Sequence, residues 1–162
     1  MSDYRVVFVC SGNICRSPLA HALLEEKLQR RGIGGRVFVE SAGTDAYHVG
    51  EQADPRMRRT ARAHGVIIDH PARMITAEEL EASDLVVAMD DTHVRKLSRL
   101  APTARDRIVK MRSFDPEVSL GDAPDVPDPW YGELGGFENV FAMVERSCDA
   151  LVDHIEEAIR RD

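Results

Sequence analysis

The sequence predicts an α/β fold: a single three-layer domain over residues 1–162, with helices on both faces of a four-stranded, mainly parallel sheet. Three observations predict it. Short apolar runs alternate along the chain with segments whose apolar residues recur at helical spacing. The first run is apolar without alternation, the pattern of a strand covered on both faces. The composition, 43% hydrophobic and 30% charged over 162 residues, is that of a chain able to bury one core.

Residues 5–10, RVVFVC, form the first strand, ended by Ser-Gly-Asn. Ser17 is the expected cap of a helix over 17–31, with Pro18 at its first position, Ala20, Leu23, Leu24 and Leu28 on one face, and Gly32 behind it. Residues 36–40, RVFVE, give a second strand. Asp54-Pro55 opens a helix through His64, closed by Gly65. Thr76 and Glu79 stand at capping-box spacing and start a short helix. Residues 84–89, DLVVAM, are the third strand, and Asp90 or Asp91 caps the helix carrying Val94, Leu97 and Leu100. Residues 107–111 are the fourth strand.

Residues 112–136 follow with no periodic pattern and with Pro116, Pro124, Pro127 and Pro129. An aperiodic stretch of this length in a compact domain is usually a functional loop. The last helix, 137–160, places Phe137, Val140, Phe141, Val144, Cys148, Leu151, Val152, Ile155 and Ile159 on one stripe. In parallel sheets ligands bind beyond the carboxyl ends of the strands, and Cys10 ends the first.

Acids outnumber bases, 28 to 21, for a net charge of −7. That argues against nucleic acid or an anionic membrane as partner, since both favour basic surfaces. Three cysteines make no disulfide framework, and no Cys/His spacing implies a metal. No signal peptide is expected, nor a stretch of the ~20 apolar residues that span a bilayer. The expectation is a reduced, cytoplasmic, monomeric protein without a cofactor.

The chemistry concentrates in Cys10-Ser11-Gly12-Asn13-Ile14-Cys15-Arg16-Ser17-Pro18, between the first strand and the first helix. Five residues between Cys10 and Arg16 allow a loop whose amide N–H groups converge on one point. Gly12 and Asn13 tolerate the positive φ that such curling needs. The helix adds its positive end, and Arg16 adds a planar cationic fork for a tetrahedral oxyanion. Donors that bind a dianion also favour a thiolate, so Cys10 is the expected nucleophile at a phosphate site. Ser17 is placed to donate to the same sulfur. The loop is neither a Walker A motif nor a dinucleotide fingerprint.

Displacing an alcohol from phosphate also calls for a general acid. The long loop offers Asp115, Glu117, Asp122, Asp125, Asp128 and Glu133. Asp128 stands out because Pro127 and Pro129 stiffen its backbone and Trp130-Tyr131 follow, but the residues alone leave the choice open.

VCSGNICRSP resembles the phosphate-binding loop of the low-molecular-weight protein tyrosine phosphatases. The similarity extends to length, element order and the Asp-Pro-aromatic-Tyr motif at 128–131. It implies hydrolysis of phosphotyrosine in proteins through a cysteinyl-phosphate, with Cys10, Arg16 and Asp128 catalytic. It implies a left-handed Asn13 supported by Ser17, Ser41 and His70, and a pocket rim of Tyr47, His48, Trp130 and Tyr131. Tyr47 stands where the family frequently has Trp, and Trp130 where it frequently has Tyr. Cys15 is expected to trap oxidised Cys10 as a disulfide; Cys148 is expected in the core. The Arg56, Arg58, Arg59 and Arg62 helix face is expected to be solvated, and His21, His64, His93 and His154 form no site by spacing.

Three other functions fit less well. An arsenate reductase of this fold needs relay thiols beyond Cys10 and Cys15, and Cys148 is expected to be buried. A protein arginine phosphatase of the same superfamily tends to carry Thr where this chain has Ile14, whose apolar side chain suits a flat aromatic ring. A non-catalytic phosphate-binding module needs neither Cys10 nor Asp128.

Overall fold

A computed structural model describes residues 4–118, 121, 123–131 and 135–161. The strands are β1 (Tyr4–Cys10), β2 (Val37–Gly43), β3 (Leu85–Ala88) and β4 (Ile108–Lys110). The helices are α1 (Arg16–Arg30), α2 (Pro55–Ala63), α3 (Ala77–Ala82), α4 (Asp91–Leu100) and α5 (Gly135–Arg160). All strand pairs are parallel, in the order β2-β1-β3-β4. The predicted α/β class and element order are those observed.

β1 lies inside the sheet and is buried on both faces, which accounts for its unbroken apolar run. Val6, Phe8 and Cys10 join the layer that holds α1 and α5, while Val7 and Val9 join the α3 and α4 side with Leu80 and Leu97. Successive side chains of one strand thus serve two cores. All nine stripe residues named on the last helix, from Phe137 to Ile159, are at most 2% exposed. Cys148 is fully buried among them, as expected, and its burial pushes the thiol pKa far up.

Caps fix where the helices begin. Asp54 accepts from the Arg56 amide at 2.7 Å, with Pro55 at the first position of α2. Thr76 accepts from the Glu79 amide at 3.2 Å, one half of the predicted capping box. The Glu79 carboxylate turns instead to Arg73, at 2.6 and 2.7 Å. Asp90, not Asp91, caps α4 by accepting from the His93 amide at 3.0 Å.

The start of α1 departs from expectation. The helix begins at Arg16, Cys15 holds the cap position, and no side chain caps it. Ser17 lies inside the first turn because its hydroxyl is engaged by Cys10 and Asn13. The uncapped end leaves helix N–H groups facing the loop.

Candidate active site

The carboxyl ends of β1 and β3 and the amino ends of α1 and α4 meet at the loop after Cys10. Among the described residues, the N–H groups of Gly12 through Ser17 have no hydrogen-bond partner. Uncompensated donors around one turn form an anion cradle. Asn13 supplies the bend, with φ of 57° although it has a Cβ. Gly12 keeps an ordinary φ, contrary to expectation; its lack of a Cβ serves contact, since one would lie 2.8 Å from His48 Cδ2. Gly43 is tighter: a Cβ there would meet Ser11 O at 2.6 Å.

Asn13 is fully buried, and its amide holds the bend. Its Nδ2 donates to Ser17 Oγ at 2.8 Å and Ser41 Oγ at 3.2 Å. Its Oδ1 accepts from His70 Nε2 at 3.1 Å and from the Arg73 amide at 3.1 Å. Ser17 Oγ, already accepting from Asn13, lies 2.9 Å from Cys10 Sγ, within reach to donate to a thiolate there, and 3.4 Å from Ala42 O. Burial pushes the His70 pKa below the ordinary histidine value, with His21 and Arg73 acting the same way. A neutral His70 donating from Nε2 fits the acceptor-only Asn13 oxygen.

Arg16 is 3% exposed. Its Nη1 donates to Asp90 Oδ2 and to Val126 O, both at 3.0 Å, and its Nη2 lies 3.6 Å from Asp128 Oδ2. Burial raises the Asp90 carboxyl, but the His93 amide and side chain and Arg16 outweigh it and hold the group below the usual carboxylate range. Val126 is buried and donates its amide to Met89 O at 2.8 Å, which fastens the segment carrying Asp128. Asp128 Oδ1 accepts from the Trp130 amide at 3.0 Å.

Cys10, Arg16 and Asp128 line a pocket of about 290 Å³ together with Ser11, Ile14, Cys15, Tyr47, His48 and Trp130. A larger cleft of about 360 Å³ lies between α1 and the β2 edge. It holds no thiol and no basic group, so the chemistry selects the smaller one. Tyr47 is 83% exposed at the rim, and the His48 and Trp130 rings sit 5.6 Å apart. The Tyr131 side chain lies outside the described part of the structure. Burial, then Asp54, pushes the Cys15 thiol pKa far up, so it is a neutral neighbour of Cys10.

Among the described acids of the long loop, Asp128 is the one that lines the pocket. Asp115 is buried against Arg112 and Arg146, at 3.0 and 2.8 Å, and Asp125 pairs with Lys110 at 2.7 Å. Glu117 sits 3.4 Å from Arg146. Asp122 and Glu133 lie outside the described residues.

Several features escaped the sequence reading. Asp90, read only as a cap, also holds Arg16. His93, assigned to no site, bonds Ser11 Oγ through Nε2 at 2.9 Å. Arg56 pairs with Asp54 at 2.9 Å and lies 5.1 Å from the Trp130 ring centroid and 4.8 Å from that of Phe137, so this part of the α2 arginine face supports the rim. His21, Glu40 and His70 also bring potential ligand atoms within 4.8 Å of one another. Their nitrogens already have partners: His21 Nδ1 bonds Ser41 Oγ at 3.1 Å, His21 Nε2 pairs with Glu25 of α1 at 3.1 Å, and His70 Nε2 holds Asn13.

A parallel α/β sheet with a thiol, a buried arginine and free amides at one strand end defines a cysteine-bearing oxyanion-binding protein. Residues 5–161 match the family described as low molecular weight phosphotyrosine protein phosphatase, and the chain belongs to it. It is 46% identical over 158 residues to a low molecular weight protein-tyrosine-phosphatase of Streptomyces coelicolor, covering 96% of each chain. It is 46% identical over 163 residues to low molecular weight protein-tyrosine phosphatase A of Mycobacterium tuberculosis, covering 100% of this chain and 98% of the other. Among solved structures, a protein tyrosine phosphatase from Entamoeba histolytica with Hepes in its active site superimposes with a TM-score of 0.90. That pair is 34% identical over 96% of this chain and 98% of the other.

Proposed function

We propose that this chain is a cytoplasmic, single-domain protein tyrosine phosphatase that works through a cysteinyl-phosphate. The observation that carries the proposal is the convergence of Cys10, Arg16 and Asp128 on one pocket floored by unpaired amides. Cys10 Sγ attacks phosphorus, the P–O bond to the phenol breaks, and Asp128 gives its proton to the departing oxygen. Arg16 and the loop amides hold the phosphoryl oxygens in the transition state. Water then attacks phosphorus and gives a proton to Asp128, and the electron pair of the P–S bond returns to Cys10. Ser17, donating to Sγ, stabilises the returning thiolate.

Ile14, 8% exposed in the pocket wall, and the aromatic rim of Tyr47 and Trp130 favour a flat phenyl ring over a guanidinium. Among the described residues, no helix is long and apolar enough to cross a membrane. With a net charge of −7, the attraction for a dianion has to come from the loop itself.

A substrate panel tests this reading. Phosphotyrosine peptide is expected to be turned over, with phosphoserine, phosphoarginine and arsenate inert or far slower. Faster release of phosphate from phosphoarginine contradicts the aryl preference.

A further inference from the structure

We propose that Ser11, held by His93 and Asp90, orients the water that hydrolyses phosphorylated Cys10, an assignment that rests on the cysteinyl-phosphate mechanism above. Asp90, His93 and Ser11 form a chain: Asp90 Oδ1 lies 3.2 Å from His93 Nδ1, and His93 Nε2 lies 2.9 Å from Ser11 Oγ. The His93 side chain is 1% exposed, and its buried Nδ1 makes no aligned hydrogen bond: the Asp90 carboxylate is its near charged neighbour but lies off the hydrogen-bonding angle. His93 meets the pocket wall directly at Ser11, the residue after Cys10, and more remotely through Asp90 and Arg16.

The proton positions follow from the partners. A neutral imidazole has one N–H, and an unprotonated Nδ1 would put its partial negative charge 3.2 Å from the ionised Asp90 carboxylate. The hydrogen therefore belongs on Nδ1 and the lone pair on Nε2. Ser11 must then donate its O–H to Nε2, which leaves only lone pairs of Ser11 Oγ for the pocket. In a cradle otherwise built of donors, Ser11 is a fixed acceptor.

Phosphoryl binding has no use for an acceptor, but the second step does. Attacking water points a lone pair at phosphorus and needs acceptors for both hydrogens. Asp128 receives the one that leaves; Ser11 Oγ holds the one that stays on the product phosphate. The Ser11–His93 proton does not move. The pocket's other acidic side chain, Asp45, faces Lys96 at 3.4 Å and Thr44 at 3.5 Å, and His48 Nδ1 is taken by Glu51 at 3.0 Å. His93 is thus a positioning residue, acting through Ser11.

Rapid-quench kinetics with an aryl phosphate of acidic phenol separates the steps. For Ser11→Ala and His93→Phe, the burst of phenol should persist while kcat falls about tenfold, the size of one neutral hydrogen bond. KM should fall in parallel and kcat/KM should hold, because only the step after phenol release is slowed. Ser11→Thr, which keeps the hydroxyl, should restore kcat. A parallel loss of kcat and kcat/KM, or an unchanged kcat in Ser11→Ala, overturns the assignment and leaves the cysteinyl-phosphate intact. If quenched wild type holds no phosphorylated Cys10, the underlying mechanism fails instead.

Discussion

Acid should weaken the fold through His93. Burial is the main reason its pKa is pushed down from 6.5 to about 4; Arg16 and Lys96 push the same way, and Asp90 and Asp45 oppose them. Between these two values the unfolded chain binds a proton that the folded chain does not. Stability therefore rises with pH across this window and falls on acidification through it. The full effect is on the order of 3 kcal/mol, and about 2 kcal/mol of it is lost by about pH 5. Urea unfolding of wild type and His93→Gln at about pH 7.5 and about pH 5 isolates the contribution, because histidines common to both cancel. Wild type should lose about 2 kcal/mol more than the variant over that interval. Equal losses would mean that His93 is protonated in the folded protein without cost, and the neutral Asp90–His93–Ser11 arrangement would be refuted.

Three further outcomes follow from the site. Asp128→Asn should lower kcat about 10²–10⁴-fold for poor leaving phenols and much less for acidic ones, and an equal loss across a leaving-group series would remove Asp128 as the acid. Gly43→Ala should fold with a displaced loop, because the new Cβ meets Ser11 O at 2.6 Å; a wild-type KM for phosphate esters in that variant would show that the loop tolerates the clash. Peroxide should bridge Cys10 and Cys15, both free and buried in the same pocket wall; mass analysis that finds over-oxidised Cys10 beside an untouched Cys15 would exclude the bridge.

The elements were legible because each carries local signals: the apolar run of β1, the Asp54 and Asp90 caps, the stripe of α5. The first turn of α1 was misplaced because Ser17 reads locally as a cap, while its hydroxyl answers to Cys10 and Asn13. Gly12 was assigned a φ requirement that Asn13 alone meets; the closeness of His48, which gives Gly12 its reason, is a tertiary fact. Cys10, Arg16 and Ser17 were readable because one loop holds them, and Asp128 because its flanking prolines and family motif mark it. Asp90 and His93 were not, because nothing local says that β3 lies beside β1. The rule that ligands sit beyond strand carboxyl ends, applied to β3 as well as β1, points to Asp90. Arg56 hid in the same way, on a helix face whose basic residues read as solvated.

The central claim is that phosphate passes through the Cys10 sulfur. Intact-protein mass spectrometry of enzyme acid-quenched during turnover of an aryl phosphate tests it most directly. One phosphoryl group is predicted on wild type, located at Cys10 by peptide mapping, and more of it in a variant slowed at the second step. Cys10→Ser should release no phenol and stay folded. Phenol release by Cys10→Ser at the wild-type rate, or a phosphoryl group mapped to another residue, would contradict the account.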